Sequence, residues 1–387
     1  MKRLVLSLFF CACCVTLFAQ NETIRLTHGP YLQNLGPDEV TIVWIANRNS
    51  VGWVELAPDD GSNFYAMERP KYFDSKHGIK HQSTIHAVRI CGLEPGTTYR
   101  YRVFAKEICE RHGSYINYGQ VASTTVYQKE PLRLTTLNPA QETVSFAMVN
   151  DIHGNTEKME GLLKLCDMNK TDMVLFVGDM VSYFGSEEQV FSGFMDKAVE
   201  MFASEKPMFY TRGNHETRGD IAYDFQKYFS PSQEHIYYMF RQGPVCFVAL
   251  DCGEDKPDSD IEYFDANVYE QYRTEQAEWL KKIVQSDEFR TAPFRVVTCH
   301  IPPKGGWFGN KDIEAKFLPI LNQSGVDVML CGHTHSHSLI KAGEYANFPI
   351  MINSAVDLLT CDVSSDKLDM KILNSEGKVI DTLTLKK

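Results

Sequence analysis

Five apolar runs, each ending in side chains able to bind a metal ion, constrain this chain more than any other feature. Phe146-Ala-Met-Val-Asn-Asp-Ile-His-Gly-Asn155 runs into Asp151 and His153, and Met173-Val-Leu-Phe-Val-Gly-Asp179 into Asp179. Met208-Phe-Tyr-Thr-Arg-Gly-Asn-His-Glu216 delivers Asn214 and His215. Phe294-Arg-Val-Val-Thr-Cys-His300 delivers His300, and Val326-Asp-Val-Met-Leu-Cys-Gly-His-Thr-His335 delivers His333 and His335. Short apolar or β-branched runs bounded by Gly or polar residues read as strands buried on both faces. In open α/β sheets the ligand crevice lies at the carboxyl ends of such strands, so these residues are expected to meet in one place.

Between the runs, Glu157 to Asn169, Glu188 to Ala203 and Thr274 to Gln285 carry apolar residues at helical spacing. The segment from 143 to 387 is therefore expected to be an α/β domain of two packed sheets flanked by helices. Residues 21–127 read instead as short strands. Val40-Thr-Ile-Val-Trp44 alternates, and His86 to Gly92 and Tyr99 to Val103 follow with turn residues between them. Leu93-Glu-Pro-Gly-Thr-Thr-Tyr99 resembles the tyrosine corner of fibronectin type III and related folds, which implies an N-terminal all-β sandwich. A linker is expected over 128–142, marked by Pro131 and Pro139. At 387 residues, two domains are expected in any case.

Residues 1–20 combine Met-Lys-Arg, an apolar core and a small residue at Ala19, the pattern of a secretory signal peptide. The chain is thus expected to be exported, periplasmic or extracellular. A lipid anchor is a minor alternative, because the residues before Cys11, Cys13 and Cys14 make a poor lipobox. No later segment reads as transmembrane. The other cysteines lack the spacing of a disulfide scaffold or zinc ribbon, and Cys246, Cys299 and Cys331 sit inside apolar runs as small hydrophobes. A formal net charge of -11 disfavours polymeric nucleic acid as a partner. The acidic stretch 253–270 lacks apolar periodicity and is expected to be a loop, a solvated surface rather than a substrate lid.

Asp151, His153, Asp179, Asn214, His215, His300, His333 and His335 mix carboxylate, amide and imidazole donors, a set suited to zinc, manganese or iron. They exceed the needs of one tetrahedral ion. Two ions sharing a bridging carboxylate would use them, generating a hydroxide for in-line attack on a phosphoryl group.

The order Asp-x-His, Gly-Asp, Gly-Asn-His-Glu, His, Gly-His-x-His resembles the calcineurin-like metallophosphoesterase superfamily. Gly29-Pro-Tyr-Leu-Gln-Asn34 and the sandwich resemble its purple acid phosphatase-like branch. The resemblance implies that Asp151, His153 and His335 hold the first ion, that Asp179 bridges, and that Asn214, His300 and His333 hold the second. His215 is left unligated as a proton donor to the leaving group, and Glu216 and Asn155 are expected as partners of the ligands. One departure stands out: the branch places a tyrosine where this chain has Ser182, with Tyr183 one step late, and lacks the imidazole that His153 supplies. An imidazole is therefore expected in place of a phenolate, in a protein that is not purple. Arg212, Arg218, Lys304 and Lys311 are candidate phosphate contacts or surface charges, and Trp307 and Phe308 are candidates for stacking on an aromatic group or for anchoring their loop. The function expected is hydrolysis of small phosphate esters, a monoesterase ahead of a phosphodiesterase or nucleotide hydrolase. The third reading is a non-enzymatic surface-binding protein with a vestigial site.

Overall fold

The computed structural model describes residues 22–124, 130–229 and 233–387, so the expected signal peptide lies outside the described residues. The first sheet is built from β1 (Leu26–Gln33), β2 (Glu39–Pro58), β3 (Lys71–Phe73), β6 (Ser83–Cys91), β7 (Thr98–His112), β8 (Tyr115–Ser123) and β9 (Leu132–Thr135). Strands β4 (Ser75–Lys76) and β5 (Ile79–Lys80) form a separate small ribbon. The order is β1-β2-β7-β8, with β3 and β6 also on β2, and β9 on β7. Strand β2 is long enough to serve both halves of the domain. Its first half pairs with β6, its register breaks between Ile45 and Ser50, and its second half pairs with β7. Val40, Ile42 and Trp44 from the first half and Val54 and Leu56 from the second share one buried cluster, so the sheet doubles on itself as a sandwich does. The tyrosine corner forms as expected, with the Glu94 amide donating to the Tyr99 hydroxyl at 2.9 Å. Strand β9 falls inside the segment expected to be linker. Leu132-Arg-Leu-Thr135 pairs with β7 over four residues, which carries the first sheet to within a few residues of the next domain.

Two further six-stranded sheets form the rest. One contains β10 (Thr143–Val149), β11 (Met173–Val177), β12 (Met208–Thr211), β19 (Leu358–Ser364), β20 (Lys367–Leu373) and β21 (Val379–Lys386). The other contains β13 (Tyr238–Gln242), β14 (Val245–Leu250), β15 (Phe294–Cys299), β16 (Val328–Cys331), β17 (Ser338–Ile340) and β18 (Ile350–Ile352). Their orders are β12-β11-β10-β19-β20-β21 and β13-β14-β15-β16-β18-β17. Strands β10, β11 and β12 are parallel to one another, as are β14, β15, β16 and β18. Side chains of the two inner faces meet in one core, with Phe146 edge-on to Phe247 at 5.4 Å between ring centroids. The outer faces are covered too: Val149, Val174 and Phe176 belong to one flanking cluster and Val248, Val297 and Met329 to another. Burial on both faces is why these strands read as unbroken apolar runs.

The expected helices appear at Thr156–Leu163, from Glu187 to Ala203 with wide turns inside it, and at Tyr269–Ile283. The last starts five residues earlier than its apolar pattern predicts, because the Asp258 carboxylate accepts from the Tyr269 and Glu270 amides and caps it from a distant loop. Among the described residues, no helix is long and apolar enough to cross a membrane, and the eight cysteines are unpaired, with Cys246, Cys299 and Cys331 buried. The sandwich is seated on the α/β domain through Tyr31, whose hydroxyl donates to the Tyr228 carbonyl at 3.0 Å, and Tyr101, whose hydroxyl donates to the Ser204 carbonyl at 2.6 Å.

Candidate metal centre

All eight candidate ligand residues lie just beyond strand ends: Asp151 and His153 after β10, Asp179 after β11, Asn214 and His215 after β12, His300 after β15, and His333 and His335 after β16. The chain has to turn sharply at those ends, and the turns carry strain. Asp151, His153, Asp179, His333 and His335 all adopt positive φ, between 52° and 71°. A left-handed non-glycine residue costs on the order of 1–2 kcal/mol, and a cluster of them at one place is the mark of a functional site. Gly178, at φ +81°, is required by space as well as by conformation, since a Cβ there would stand 2.3 Å from His300 Nδ1.

The side chains converge in three groups whose candidate donor atoms lie within 4.8 Å of one another: Asp151 with His153 and His335, His153 with Asp179 and His215, and Asp179 with His300 and His333. Asp179 belongs to two of them. His335 Nε2 is 3.2 Å from Asp151 Oδ1, His300 Nε2 is 3.0 Å from Asp179 Oδ2, and Asn214 Oδ1 is 3.1 Å from His333 Nδ1. The Nε2 atoms of His153 and His335 face each other at 3.2 Å.

Each donor is aimed by its neighbours. His300 Nδ1 donates to the Val177 carbonyl at 2.8 Å, which turns Nε2 inward. His215 Nδ1 likewise donates to the Ser182 carbonyl at 3.0 Å, leaving Nε2 3.9 Å from Asp179 Oδ2. Buried Glu216 accepts from the Asp179 and Gly213 amides, both at 2.9 Å, and from the Val181 amide at 3.2 Å, tying two turns together. Asn155, also expected as a partner, instead caps the following helix by accepting from the Lys158 amide. Lys158 reaches back and donates to the Asp151 carbonyl at 2.7 Å. Ser182 Oγ is 3.4 Å from His153 Nδ1, and Tyr183 is exposed.

The electrostatics favour a cation here. Burial alone pushes His300 down, but the Asp179 and Asp151 carboxylates outweigh it and hold the imidazole up at about 10. Both carboxyls are penalised by burial and still lie below their ordinary range because His300 faces them. His333 is pushed down to about 4 by burial and by His300, so it is an unprotonated donor at neutral pH. Asp151 Oδ1 and His300 Nε2 are buried and make no hydrogen bond of good geometry, although His335 Nε2 and Asp179 Oδ2 stand at ion-pair distance from them. Buried polar atoms are nearly always satisfied. Two orphans of opposite proton affinity, converging with other imidazoles, fit divalent or trivalent cations, and the number of donors fits a pair.

The remaining candidates divide. Arg212 and Arg218 are held in ion pairs with Asp251 (2.9 Å) and Glu254 (2.6 Å), whereas Lys304 and Lys311 are exposed. The expectation that 253–270 is a plain solvated surface fails at its root: Glu254 and Asp255 are buried, and Glu254 also accepts from Thr217 Oγ1 and the Tyr263 hydroxyl. Trp307 is half exposed and Phe308 begins a helix. The sequence reading passed over Asn150 and Asn353. Asn353 follows the apolar run of β18 as the candidate ligands follow theirs, and that repetition was the available signal.

Residues 144–337 match the calcineurin-like phosphoesterase family, and residues 28–127 match the N-terminal domain of purple acid phosphatases. Purple acid phosphatase 18 of Arabidopsis thaliana is 24% identical over 79% of this chain and 64% of its own length. Purple acid phosphatase 22 of the same plant is 26% identical over 79% of this chain and 65% of its own. The chain therefore spans just under two thirds of either relative. The purple acid phosphatase PPD1 from yellow lupin (Lupinus luteus) seeds superposes with a TM-score of 0.62 at 14% identity, covering 92% of this chain and 74% of that one, which shows a shared fold. With five strand ends carrying their donors to one strained centre, and half of the chain matched by one family, this protein belongs to the calcineurin-like phosphoesterases, joined to a purple acid phosphatase N-terminal domain.

Proposed function

We propose that this protein is an exported phosphatase that hydrolyses small phosphate esters, monoesters ahead of diesters, with a pair of iron, zinc or manganese ions. The observation that carries the reading is the Asp179 carboxylate, shared between two donor groups while Asp151 Oδ1 and His300 Nε2 lie buried without a well-formed hydrogen bond. Asp151, His153 and His335 would hold one ion and Asn214, His300 and His333 the other, with the Asp179 carboxylate within reach of both groups. When bound, such a pair lowers the pKa of a coordinated water toward neutrality and neutralises charge on phosphoryl oxygens. His215, fixed through Nδ1 on the Ser182 carbonyl, presents Nε2 to the centre and, when protonated, gives its proton to the departing oxygen. The pairing of Arg212 and Arg218 with buried carboxylates withdraws them as free phosphate contacts, leaving recognition of the phosphoryl group to the ions and His215. The preference for monoesters rests on likeness to proteins named as purple acid phosphatases. Export rests on the leader-like residues 1–20.

The test is hydrolysis of an aryl phosphate monoester and diester by protein loaded separately with manganese, zinc and iron, with Asn214→Ala as control. Faster monoester cleavage, lost by several orders of magnitude in the variant, supports the proposal. Preference for the diester moves the assignment to a phosphodiesterase. No turnover with any metal removes the enzymatic reading in favour of a binding protein with a vestigial site.

A further inference from the structure

We infer that Asn150 and Asn353 form a positioning pair that reserves one oxygen of Asp151 for an ion. The inference rests on the metal-centre reading above. Asn150 follows β10 in one sheet and Asn353 follows β18 in the other, and both are buried, 1% and 0% exposed. Asn353 Nδ2 donates to Asn150 Oδ1 at 2.8 Å and to the Asp357 carbonyl at 3.0 Å. Because an amide carries its donor and its acceptor on opposite branches, taking the Asn150 oxygen in this way fixes where the Asn150 nitrogen points. Asn150 Nδ2 donates to Asp151 Oδ2 at 2.7 Å and to the Asn353 carbonyl at 3.1 Å. The His333 amide is the second donor to Asp151 Oδ2, at 2.9 Å.

The consequence is a carboxylate with two unlike oxygens. Oδ2 is covered by two donors, while Oδ1 is buried, makes no well-formed hydrogen bond and faces imidazoles only, His335 Nε2 at 3.2 Å and His153 and His300 Nε2 at 3.9 Å. A carboxylate free to rotate would divide its oxygens between an ion and its neighbours. Pinning one edge leaves a single geometry for the other. The pair also joins the two sheets, as the Thr211–Thr298 hydroxyl contact of 2.6 Å does two strands away in each sheet, so that donors from separate sheets keep a fixed spacing.

The test measures manganese binding by calorimetry and by electron paramagnetic resonance in the full chain and in Asn150→Leu and Asn353→Leu, with apo stability followed separately by urea unfolding. Gln276→Leu is the control. It removes another fully buried side-chain amide, which clamps the Asp251 backbone away from the Asp151 carboxylate. We expect each asparagine variant to bind one of the two ions 10–100-fold more weakly, with loss of the coupled two-ion signal, and the control to lose stability while its ion affinity stays within about twofold. Asn150→Ser and Asn353→Ser give the same reading if leucine prevents folding. Wild-type affinity for both ions in the asparagine variants, or an equal loss in the control, overturns the pair's role. Failure of the unaltered chain to bind two ions is a different result and overturns the metal-centre reading itself.

Discussion

Glu216→Gln isolates the carboxylate that holds the two turns of the site. In the folded protein Glu216 is fully buried and accepts three backbone amides, those of Asp179 and Gly213 on one oxygen and that of Val181 on the other. Glutamine keeps the shape but offers one acceptor. With its oxygen on Asp179 and Gly213, its NH2 confronts the Val181 N–H, leaving a buried donor unmet at a cost of about 1–3 kcal/mol. The two surviving bonds lose their charge assistance, about 1 kcal/mol each. Burial and the nearby Asp179 carboxylate raise the Glu216 pKa, so neutralising it returns part of this. The net expectation is a loss of about 2–3 kcal/mol, a large share of the roughly 5–15 kcal/mol that holds a domain together. Urea unfolding with a chelator present should show it as a lower midpoint, and manganese affinity should fall at least tenfold because Asp179 and Asn214 lose their common support. A variant that unfolds with the parent and binds manganese as tightly would refute the idea that Glu216 sets these turns.

Gly178→Ala should abolish ion binding at His300 and lower the melting temperature by several degrees, since the new methyl would stand 2.3 Å from the ring at a φ of +81°; manganese titration and thermal unfolding check it. In the sandwich, burial followed by His81 pushes His86 down to about 4, so between the usual histidine value of about 6.5 and 4 the unfolded chain binds the extra proton. Stability should therefore fall as pH drops through that window, at up to about 1.4 kcal/mol per pH unit, and the slope should shrink in His86→Phe when unfolding free energies are compared across pH. Iron-loaded protein should show no tyrosinate-to-iron absorption band, because Ser182 stands beside His153 and Tyr183 is exposed; a visible band of that kind would overturn the departure read at this position.

Much of the centre was legible because parallel strands buried on both faces leave long apolar runs, and the first polar residues after them stand out. The same rule extends to Asn353 after Ile350–Ile352, but a three-residue strand is too short to announce itself, and Asn353 has no histidine beside it as Asn214 has. The tyrosine corner was legible because its turn chemistry is local.

Other features depended on partners far away in the chain. Glu254 looked like one acid among many until Arg218, 36 residues earlier, buried it in an ion pair. The start of the Tyr269 helix is set by Asp258 across 11 residues, which no helical periodicity records. Leu132–Thr135 became a strand only because β7 offered it an edge. Sequence alone thus determined the buried apolar strands that lead into the site and which donors follow them, since both are written in adjacent side chains. Tertiary structure alone decided which oxygen of Asp151 is free and which way Asn150 faces, because those follow from contacts that exist only once two sheets have packed.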